Sequence, residues 1–264
     1  MTQFQDDLEF VQHLADQADA ISLPRFNAID LQVTQKPDLS PVSDADLAVE
    51  THLRTLIAEQ FPNDSVIGEE FAQESRGDRT WIIDPIDGTK NFVRGVPVWA
   101  TLIALRESGQ ITLGLVSAPA LGRRWWATTG HGAWVSELDN DTPRRMQVSS
   151  VQKLVDASFS FSDQMGWDQQ QFEAIRATTW RQRAYGDFWS HMLLGEGAVD
   201  LSAEPKLALY DYAALVPIVI EAGGVTSQFN GEALPTDDSG NHPSFLCTNG
   251  HLHLESVNLL KLKT

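Results

Sequence analysis

The sequence predicts an α/β fold in which an antiparallel first half is followed by alternating strands and helices. Short strand-like segments separated by tight turns recur between residues 99 and 135. After residue 145, apolar runs alternate with helix-like segments, which is typical of a largely parallel sheet covered by helices. The chain has 264 residues and no internal repeat, so it is long enough to bury a large core.

Two helices with a strand between them are predicted for the N-terminal part. Apolar side chains recur at helical spacing between Phe4 and Ile21, which indicates an amphipathic helix. Residues 31–36 alternate like a strand. Ser43 is a suitable N-cap, so we expect the second helix to begin there and to end near Phe61.

Two apolar runs that each end in a carboxylate follow this helix. Residues 65–67 predict a strand that leads to Glu69, and residues 81–83 predict a buried strand that leads to Asp84. The polar segment 72–79 between them is expected to be a loop. The carboxylates at the ends of these strands can converge at one edge of a sheet.

The segment Asp84-Pro85-Ile86-Asp87-Gly88-Thr89 is the most specific motif in the chain. Proline fixes φ and glycine permits positive φ, so the chain turns here and exposes two carboxylates. Carboxylates this close repel each other unless a cation lies between them. Mg²⁺ binds carboxylate oxygens and keeps water and phosphate as its other ligands. The alternative is an ordinary surface turn, since Asp-Gly is common in turns.

The middle of the chain predicts further strands and a boundary between two lobes. Antiparallel strands are expected over residues 99–106, 111–117, 123–128 and 130–135. The polar run 137–145 predicts a boundary between an N-terminal lobe, residues 1–140, and a C-terminal lobe, residues 141–264. The two lobes would form one compact catalytic unit.

The second half predicts alternating elements. Strands are expected over residues 155–161, 199–201 and 245–248, and helices over residues 168–178, 187–195, 211–222 and 251–262. Asp211 would lie at the start of its helix, where the helix dipole favours a carboxylate. Simple N-capping is the alternative role for this residue.

Composition excludes several classes of function. The net charge of −17 disfavours binding to nucleic acid or to anionic membranes. The single cysteine, Cys247, permits no disulfide within the chain. The N-terminus is acidic rather than basic, unlike a signal peptide, and the most apolar long window contains Asp211 and Glu221. A soluble, cytoplasmic protein is therefore expected.

Four motifs in this order resemble the inositol monophosphatase family of Mg²⁺-dependent phosphomonoesterases. They are Ser40 to Asp46, Gly68-Glu69-Glu70, Trp81 to Thr89, and Tyr210 to Ala214 followed by Glu221 to Gly224. The resemblance covers nearly the whole chain and implies a layered αβαβα sandwich of the inositol monophosphatase and fructose-bisphosphatase type. It also implies a homodimer, with an apolar face among the strands of residues 99–135 as a possible interface. Tyr210 departs from the tryptophan usual in the family, but both are bulky aromatics.

The resemblance also implies the site residues. Two or three Mg²⁺ ions would be bound by Glu69, Asp84, Asp87, Asp211 and the backbone carbonyl of Ile86. Asp46 would hold metal-bound water, while Thr89 and Glu69 would position and deprotonate the attacking water. The substrate would contact Asp87, Asp211 and the N–H groups of Gly88 and Thr89, which can cradle a phosphate. An in-line displacement by metal-activated water needs no covalent intermediate.

Two further carboxylates suggest which phosphate ester is the substrate. Asp187 stands where inositol-specific relatives usually have a small neutral residue, and Glu204 occupies a position that contacts the leaving alcohol. An acidic pocket favours a cationic alcohol, so the chain looks like the histidinol-phosphate phosphatase branch. Phe188 or Trp189 would pack nearby. Arg183 would approach the phosphate or pair with a carboxylate.

Three alternatives remain at this stage. The first is hydrolysis of inositol 1-phosphate or of several sugar phosphates. A nucleotide 3′-phosphatase or sugar bisphosphatase is disfavoured because the sequence offers no basic cluster for a second phosphate. A catalytically silent protein that binds metal and a partner is disfavoured because Thr89 and Glu69 are both retained. A serine hydrolase lacks support, since no Gly-x-Ser-x-Gly motif is present.

Overall fold

The computed structural model describes residues 3–37, 39–137, 142–238, 240 and 242–261. The helices are α1 (Gln3–Arg25), α2 (Asp44–Gln60), α3 (Thr89–Phe92), α4 (Gln169–Thr178), α5 (Asp187–Gly195), α6 (Leu209–Tyr212), α7 (Leu215–Glu221) and α8 (His253–Leu260). The strands are β1 (Val33–Gln35), β2 (Pro41–Ser43), β3 (Ser65–Gly68), β4 (Thr80–Asp87), β5 (Ala100–Glu107), β6 (Gln110–Ala118), β7 (Arg123–Thr128), β8 (Ala133–Glu137), β9 (Arg144–Arg145), β10 (Ser158–Ser160), β11 (Arg181–Arg183), β12 (Leu201–Glu204), β13 (Val225–Ser227) and β14 (Phe245–Thr248). Two short 3₁₀ turns cover Pro119–Leu121 and Leu154–Asp156.

The larger sheet has seven strands in chain order, from β3 to β9. β3 and β4 are parallel, and each later pair of neighbours is antiparallel. Ser108 and Gly109 both have positive φ, as a two-residue hairpin between β5 and β6 requires. The antiparallel series predicted between residues 99 and 135 is confirmed.

Both faces of this sheet are buried, as β4 illustrates. Trp81 and Ile83 pack on one face against α1 and α2, where Leu14 and Leu53 are fully buried. Ile82 packs on the other face in the cluster that includes residues of α5 and α7. Successive side chains of a strand point to opposite faces, so a strand between two helical layers is apolar at every position.

The smaller sheet has five strands in the order β11-β10-β12-β14-β13. Phe245 and Cys247 of β14 pack in the cluster that contains α5 and α7. Leu246, between them, packs in another cluster with Phe159 and with residues of α4 and α8. The layers are therefore α1 with α2, the larger sheet, α5 with α7, the smaller sheet, and α4 with α8. The predicted αβαβα sandwich is confirmed.

The smaller sheet differs from the largely parallel one that the sequence suggested. β10 is parallel to β11 and β12, but β14 is antiparallel to both β12 and β13. β14 follows β13 through residues 228–244, whose described members form no helix. A parallel pair needs a long crossover, usually a helix, so this connection returns the chain in the antiparallel sense.

The helix predicted over residues 211–222 is two helices, α6 and α7. Pro217 lies in the first turn of α7. A proline ring crowds the carbonyl four residues earlier, here that of Ala213, and offers no N–H to it, which favours a break between the two helices. Asp211 therefore lies in a short separate helix, close to the end of β4.

Two predicted strand boundaries are also wrong. Residues 155–157 do not belong to β10, because Asp156 and Ala157 donate their N–H groups back to Lys153 and Leu154 in a 3₁₀ turn. The strand expected over residues 199–201 begins only at Leu201.

The predicted lobe boundary includes residues 138–141, which lie outside the described residues. β9, just beyond them, still pairs with β8. The division into residues 1–140 and 141–264 stays a prediction.

The large apolar side chains among the strands of residues 99–135 are buried or partly buried, with Trp126 and Trp134 among the partly buried ones. The dimer interface expected in this region stays a prediction. In the part of the chain that the structure describes, no helix is long and apolar enough to cross a bilayer.

Candidate active site

A cleft of about 910 Å³ contains most of the predicted site residues. Its wall includes Glu69, Asp84, Asp87 and Thr89 from the first half of the chain and Asp187 and Asp211 from the second. The carboxyl end of β4 meets α6 here, so residues more than 100 positions apart in the sequence share one site. The convergence expected for the carboxylates at the ends of β3 and β4 is observed.

Three aspartates form the centre of the site. Asp84, Asp87 and Asp211 each offer a carboxylate oxygen, and these oxygens all lie within 4.8 Å of one another. Each side chain is fixed by a backbone N–H group. Asp84 Oδ1 accepts from Ile86 at 3.0 Å, Asp87 Oδ2 from Phe188 at 2.8 Å, and Asp211 Oδ2 from Ala208 at 2.7 Å. Each hydrogen bond orients one oxygen and leaves the other available as a ligand.

The pKa values of these three carboxyl groups are all raised, as expected where carboxylates lie close together without a bound cation. Burial, followed by the charge of Glu69, raises the pKa of Asp84 well above its usual range. Burial and the charge of Asp187 raise the pKa of Asp87 in the same direction. Burial and Glu69 also raise the pKa of Asp211 to about 7. Ionised carboxylates are unfavourable together here, and an all-oxygen donor set of this kind is the chemistry that a hard divalent cation binds.

Glu69 adjoins the three aspartates and is paired with a lysine. Lys36 Nζ lies 2.7 Å from Glu69 Oε1 and 2.8 Å from Glu70 Oε1. Burial raises the pKa of Glu70 to about 7, although the Lys36 ammonium opposes the rise. Sequence reasoning missed Lys36, because a turn residue 33 positions from its partner carries no local signal.

Thr89 connects the cleft to the start of α2. Its Oγ1 donates to the Ile86 carbonyl at 3.0 Å or to Asp46 Oδ1 at 3.3 Å. Asp46 is fully buried, and its Oδ2 accepts from the Ser43 N–H at 2.8 Å and from the Ser43 hydroxyl at 2.5 Å. The Ser43 side chain caps α2 as predicted, and the same reciprocal capping fixes Asp46 beside Thr89.

Gly88 has a φ of 84° at the start of α3, a conformation that favours glycine. A Cβ at this position would lie 2.9 Å from the Val98 carbonyl and 3.1 Å from Asp187 Oδ2. Glycine therefore allows the chain after Asp87 to turn and to lie against the second half of the protein.

The residues predicted to select the alcohol differ in their placement. Asp187 lines the cleft, and burial raises its pKa to about 6, with Lys90 opposing the rise. Glu204 is 6% exposed and accepts from the N–H and the hydroxyl of Ser162, a cleft residue, at 2.7 and 2.8 Å. Burial raises the pKa of Glu204 to about 8. Asp187 thus faces the cleft, whereas Glu204 contacts it through Ser162.

Of the other three candidate residues, one lines the cleft and two lie outside it. Trp189 lines the cleft. Phe188 is 1% exposed and packs in the core against Trp125 instead. Arg183 is exposed, and its Nη1 donates to the neighbouring Gln182 carbonyl at 2.8 Å, so the structure does not bring it into the cleft.

Sequence reasoning missed several residues of the cleft wall. Asn91, Ser162, Lys90, Lys206 and His242 line it as well. Lys90 and Asn91 directly follow Thr89, so their position next to the most specific motif was a usable signal for both. Ser162, Lys206 and His242 depend on how the two halves meet, which no local pattern encodes.

Comparison with known proteins agrees with this geometry. A model of the inositol monophosphatase family matches residues 5–260. The histidinol-phosphatase of Streptomyces coelicolor is 50% identical to this chain, and the alignment covers 98% of this chain and 98% of that protein. The histidinol-phosphatase of Mycobacterium tuberculosis is also 50% identical, over 97% of this chain and 98% of that protein.

A solved structure supports the same relationship. The Thermotoga maritima IMPase superposes on this chain with a TM-score of 0.85 and is 30% identical to it. The superposition covers 97% of this chain and 96% of that chain. The family model matches almost the whole chain, and residues from each of the four motifs line one cleft, although Glu221 accepts from Gly130 and Gly132 elsewhere. The chain therefore belongs to the inositol monophosphatase family.

Proposed function

We propose that the protein is a Mg²⁺-dependent phosphomonoesterase that converts L-histidinol phosphate and water to L-histidinol and phosphate in histidine biosynthesis. The observation that carries this proposal is the position of Asp187 in the same cleft as the three-aspartate cluster. The cluster accounts for phosphate chemistry, and Asp187 adds negative charge where a cationic alcohol would lie. Two relatives with 50% identity that are named histidinol-phosphatase support this choice of substrate.

The metal would be held by Asp84, Asp87 and Asp211, with Glu69 and the Ile86 carbonyl as further ligands. Bound Mg²⁺ supplies Lewis-acid stabilisation of phosphoryl oxygens and lowers the pKa of bound water. The backbone N–H groups that fix the three aspartates orient these ligands before any ion binds. Two or three ions remain the expectation from the family.

The protein's own residues would position the attacking water. The single hydroxyl hydrogen of Thr89 has two acceptors, the Ile86 carbonyl and Asp46 Oδ1. Once it is donated to either, the lone pairs of Oγ1 can only accept, so Thr89 can receive a hydrogen bond from water in the cleft. Glu69 lines the same cleft and is the expected proton acceptor.

The leaving alcohol would be recognised by charge. Histidinol carries an ammonium group and an imidazole, and Asp187 offers a carboxylate on the cleft wall. Bringing opposite charges together in a partly desolvated pocket favours this alcohol over a neutral polyol. Glu204 would act indirectly, because it accepts hydrogen bonds from Ser162 and so holds that residue on the cleft wall.

Inositol 1-phosphate or a sugar phosphate is the second candidate substrate. The observation in its favour is the burial of Glu204, which leaves one of the two predicted carboxylates facing the cleft. A pocket with one carboxylate discriminates less strongly between a cationic and a neutral alcohol.

A homodimer and a cytoplasmic location belong to the same proposal. They are supported by the resemblance to the family and by a biosynthetic role. Light scattering of the purified protein tests this: a homodimer should have a molar mass twice the 29.2 kDa of one chain.

The experiment that tests the proposed function is phosphate release from L-histidinol phosphate and from inositol 1-phosphate, each with Mg²⁺ and with EDTA. We expect a large preference for histidinol phosphate in kcat/KM, and loss of activity in EDTA. Comparable rates on both substrates would favour the second candidate. No metal-dependent release from either would favour a catalytically silent metal-binding protein.

A further inference from the structure

Asp187 is held in an unusual conformation at the first position of α5. Its φ is 44°, in the left-handed region that residues other than glycine seldom adopt, although asparagine and aspartate do so more often than most. Gly186, just before it, also has positive φ, so the two residues form a tight turn. Such a conformation is unfavourable by itself and persists only where surrounding contacts hold it.

Two contacts hold this turn. The Asp187 N–H donates to the Ser162 hydroxyl at 2.7 Å. The carboxylate atom Oδ2 accepts from Asn91 Nδ2 at 2.9 Å. Among the described residues, Oδ1 has no hydrogen-bond partner, and the side chain lines the cleft. One oxygen of Asp187 is therefore anchored and the other is available to a ligand.

The orientation of the Asn91 amide is fixed. Its Nδ2 also donates to the Val98 carbonyl at 2.9 Å, so both of its hydrogens go to acceptors. A flipped amide would place its oxygen against these two acceptors, which is unfavourable. Backbone hydrogen bonds hold the residue as well, since its N–H donates to Gly88 and its carbonyl accepts from Val96. Asn91 is thus a rigid donor aimed at Asp187.

The same turn is joined to the metal cluster. The Phe188 N–H, one residue after Asp187, donates to Asp87 Oδ2 at 2.8 Å. Asn91 lies four residues after Asp87, in α3. Two hydrogen bonds therefore join these segments: Phe188 donates to Asp87, and Asn91 donates to Asp187.

We propose that Asn91 is a positioning residue that selects the substrate by aiming the Asp187 carboxylate at the cationic leaving alcohol. This inference rests on the proposed function and deepens it. Asn91 touches neither the phosphate nor the metal ligands' free oxygens in this role; it acts through Asp187. Its loss should therefore weaken the recognition of a cationic alcohol and leave the handling of the phosphate intact.

The test compares two substrates in a double-mutant cycle. The variants are Asn91→Ala, Asp187→Gly and the double variant; glycine accepts the positive φ of position 187. The substrates are L-histidinol phosphate and phenyl phosphate, whose leaving group carries no positive charge. All measurements use the Mg²⁺-loaded full chain, and melting temperatures are recorded alongside the kinetics.

We expect Asn91→Ala to lower kcat/KM for histidinol phosphate by about 10- to 100-fold, the range for a hydrogen bond to a charged group, mostly through KM. Its kcat/KM for phenyl phosphate should change by less than about threefold. The double variant should lose no more of the preference than Asp187→Gly alone, because the two residues act as a unit.

Other results overturn the inference. Equal losses on both substrates in Asn91→Ala would mean that the residue only supports the fold, and additive losses in the cycle would mean that it does not act through Asp187. If Asn91→Ala does not fold, Asn91→Leu carries the same prediction, since its side chain has a similar size and no N–H group to donate to Asp187. If the wild type shows no preference for histidinol phosphate, both the proposed function and this inference are wrong. If the preference is present in the wild type and survives in both single variants, only this inference is wrong.

Discussion

The Phe188 N–H donates a hydrogen bond of 2.8 Å to Asp87 Oδ2, so the first turn of α5 is attached directly to the three-aspartate cluster. The neighbouring residue, Asp187, lines the same cleft. The backbone of this turn therefore orients a carboxylate of the cluster, while the side chain of Asp187 lines the cleft beside it.

Asp84 tests the metal site. The variant Asp84→Asn removes one negative charge from the cluster and should lower kcat/KM about 100-fold or more, since even residues that only support a ligand cost 10- to 100-fold. The rise in melting temperature on adding Mg²⁺ should shrink as well. Asp168→Asn is the matched control, because Asp168 caps α4 away from the cleft and asparagine caps equally well. An unchanged Mg²⁺ response in Asp84→Asn would contradict the assignment.

Asp211 should make the metal-free protein less stable as the pH rises. Its pKa is raised to about 7 in the folded state from 3.8, so the folded state binds the proton more tightly than the unfolded state. The resulting stability is fully present below pH 3.8 and is lost as the pH rises through about 7. Urea midpoints in EDTA should therefore fall as the pH rises from 3.8 to about 7 and level off above that value.

The variant Asp211→Asn isolates this effect. It should show a shallower fall in urea midpoint than the wild type over the same pH range, and Mg²⁺ should offset the fall in the wild type because it binds the ionised form. Parallel pH profiles for the two proteins would contradict the raised pKa.

His191 should limit stability in acid. It is 1% exposed, its Nδ1 lies 2.8 Å from the Ser202 hydroxyl, and burial lowers its pKa to about 3. The unfolded state binds a proton below pH 6.5 and the folded state does not, so the contribution of His191 to stability falls as the pH drops below 6.5. Between pH 6.5 and pH 5 this contribution should fall by about 2 kcal/mol, opposite in sign to that of Asp211.

The control for His191 is an exposed histidine. His191→Gln should flatten the acid side of the stability profile, whereas the same change at His251, which is exposed, should not. The free energy of unfolding from urea titrations at several pH values decides between them. A steep acid loss that persists in His191→Gln would show that other groups cause it.

Gly114 should be intolerant of a side chain. It lies in β6, where a Cβ would be 2.1 Å from the Ala214 carbonyl oxygen and 2.7 Å from Pro217 Cγ. Because these atoms belong to backbone and ring, Gly114→Ala should cost about 2–3 kcal/mol of unfolding free energy. In Gly195→Ala the nearest atom is the flexible Met146 Cε at 2.7 Å, so that variant should change stability by less than about 1 kcal/mol. Equal effects in the two variants would argue against close packing of α7 on the larger sheet.

The parts of the fold with local signals could be predicted from the sequence. The capping side chain of Ser43, the continuous apolar run at Trp81 and the turn at Gly109 each specify their own structure over a few residues. The antiparallel direction of β14 could not be predicted in this way. It depends on a connection that forms no helix in its described residues, and a single short strand carries no signal for its direction.

The same distinction applies to the site: residues within a motif could be predicted, and contacts between distant segments could not. The three clustered aspartates could be predicted from the sequence because Asp84 and Asp87 lie in one motif and Asp211 lies in another. The contacts of Lys36 with Glu69 and of Asn91 with Asp187 were not, since they join segments 33 and 96 positions apart. The role expected for Glu204 assumed direct exposure to the cleft, and only the packing of Ser162 over it shows otherwise.

The most direct test of the central claim is the ratio of kcat/KM for L-histidinol phosphate to that for inositol 1-phosphate in the wild type and in Asp187→Asn. Asparagine keeps the shape of the side chain and tolerates positive φ, so the variant removes the charge alone. We predict a ratio far above one in the wild type and a fall of about tenfold or more in the variant, with activity on inositol 1-phosphate retained. An unchanged ratio would contradict the claim that the Asp187 carboxylate selects the substrate.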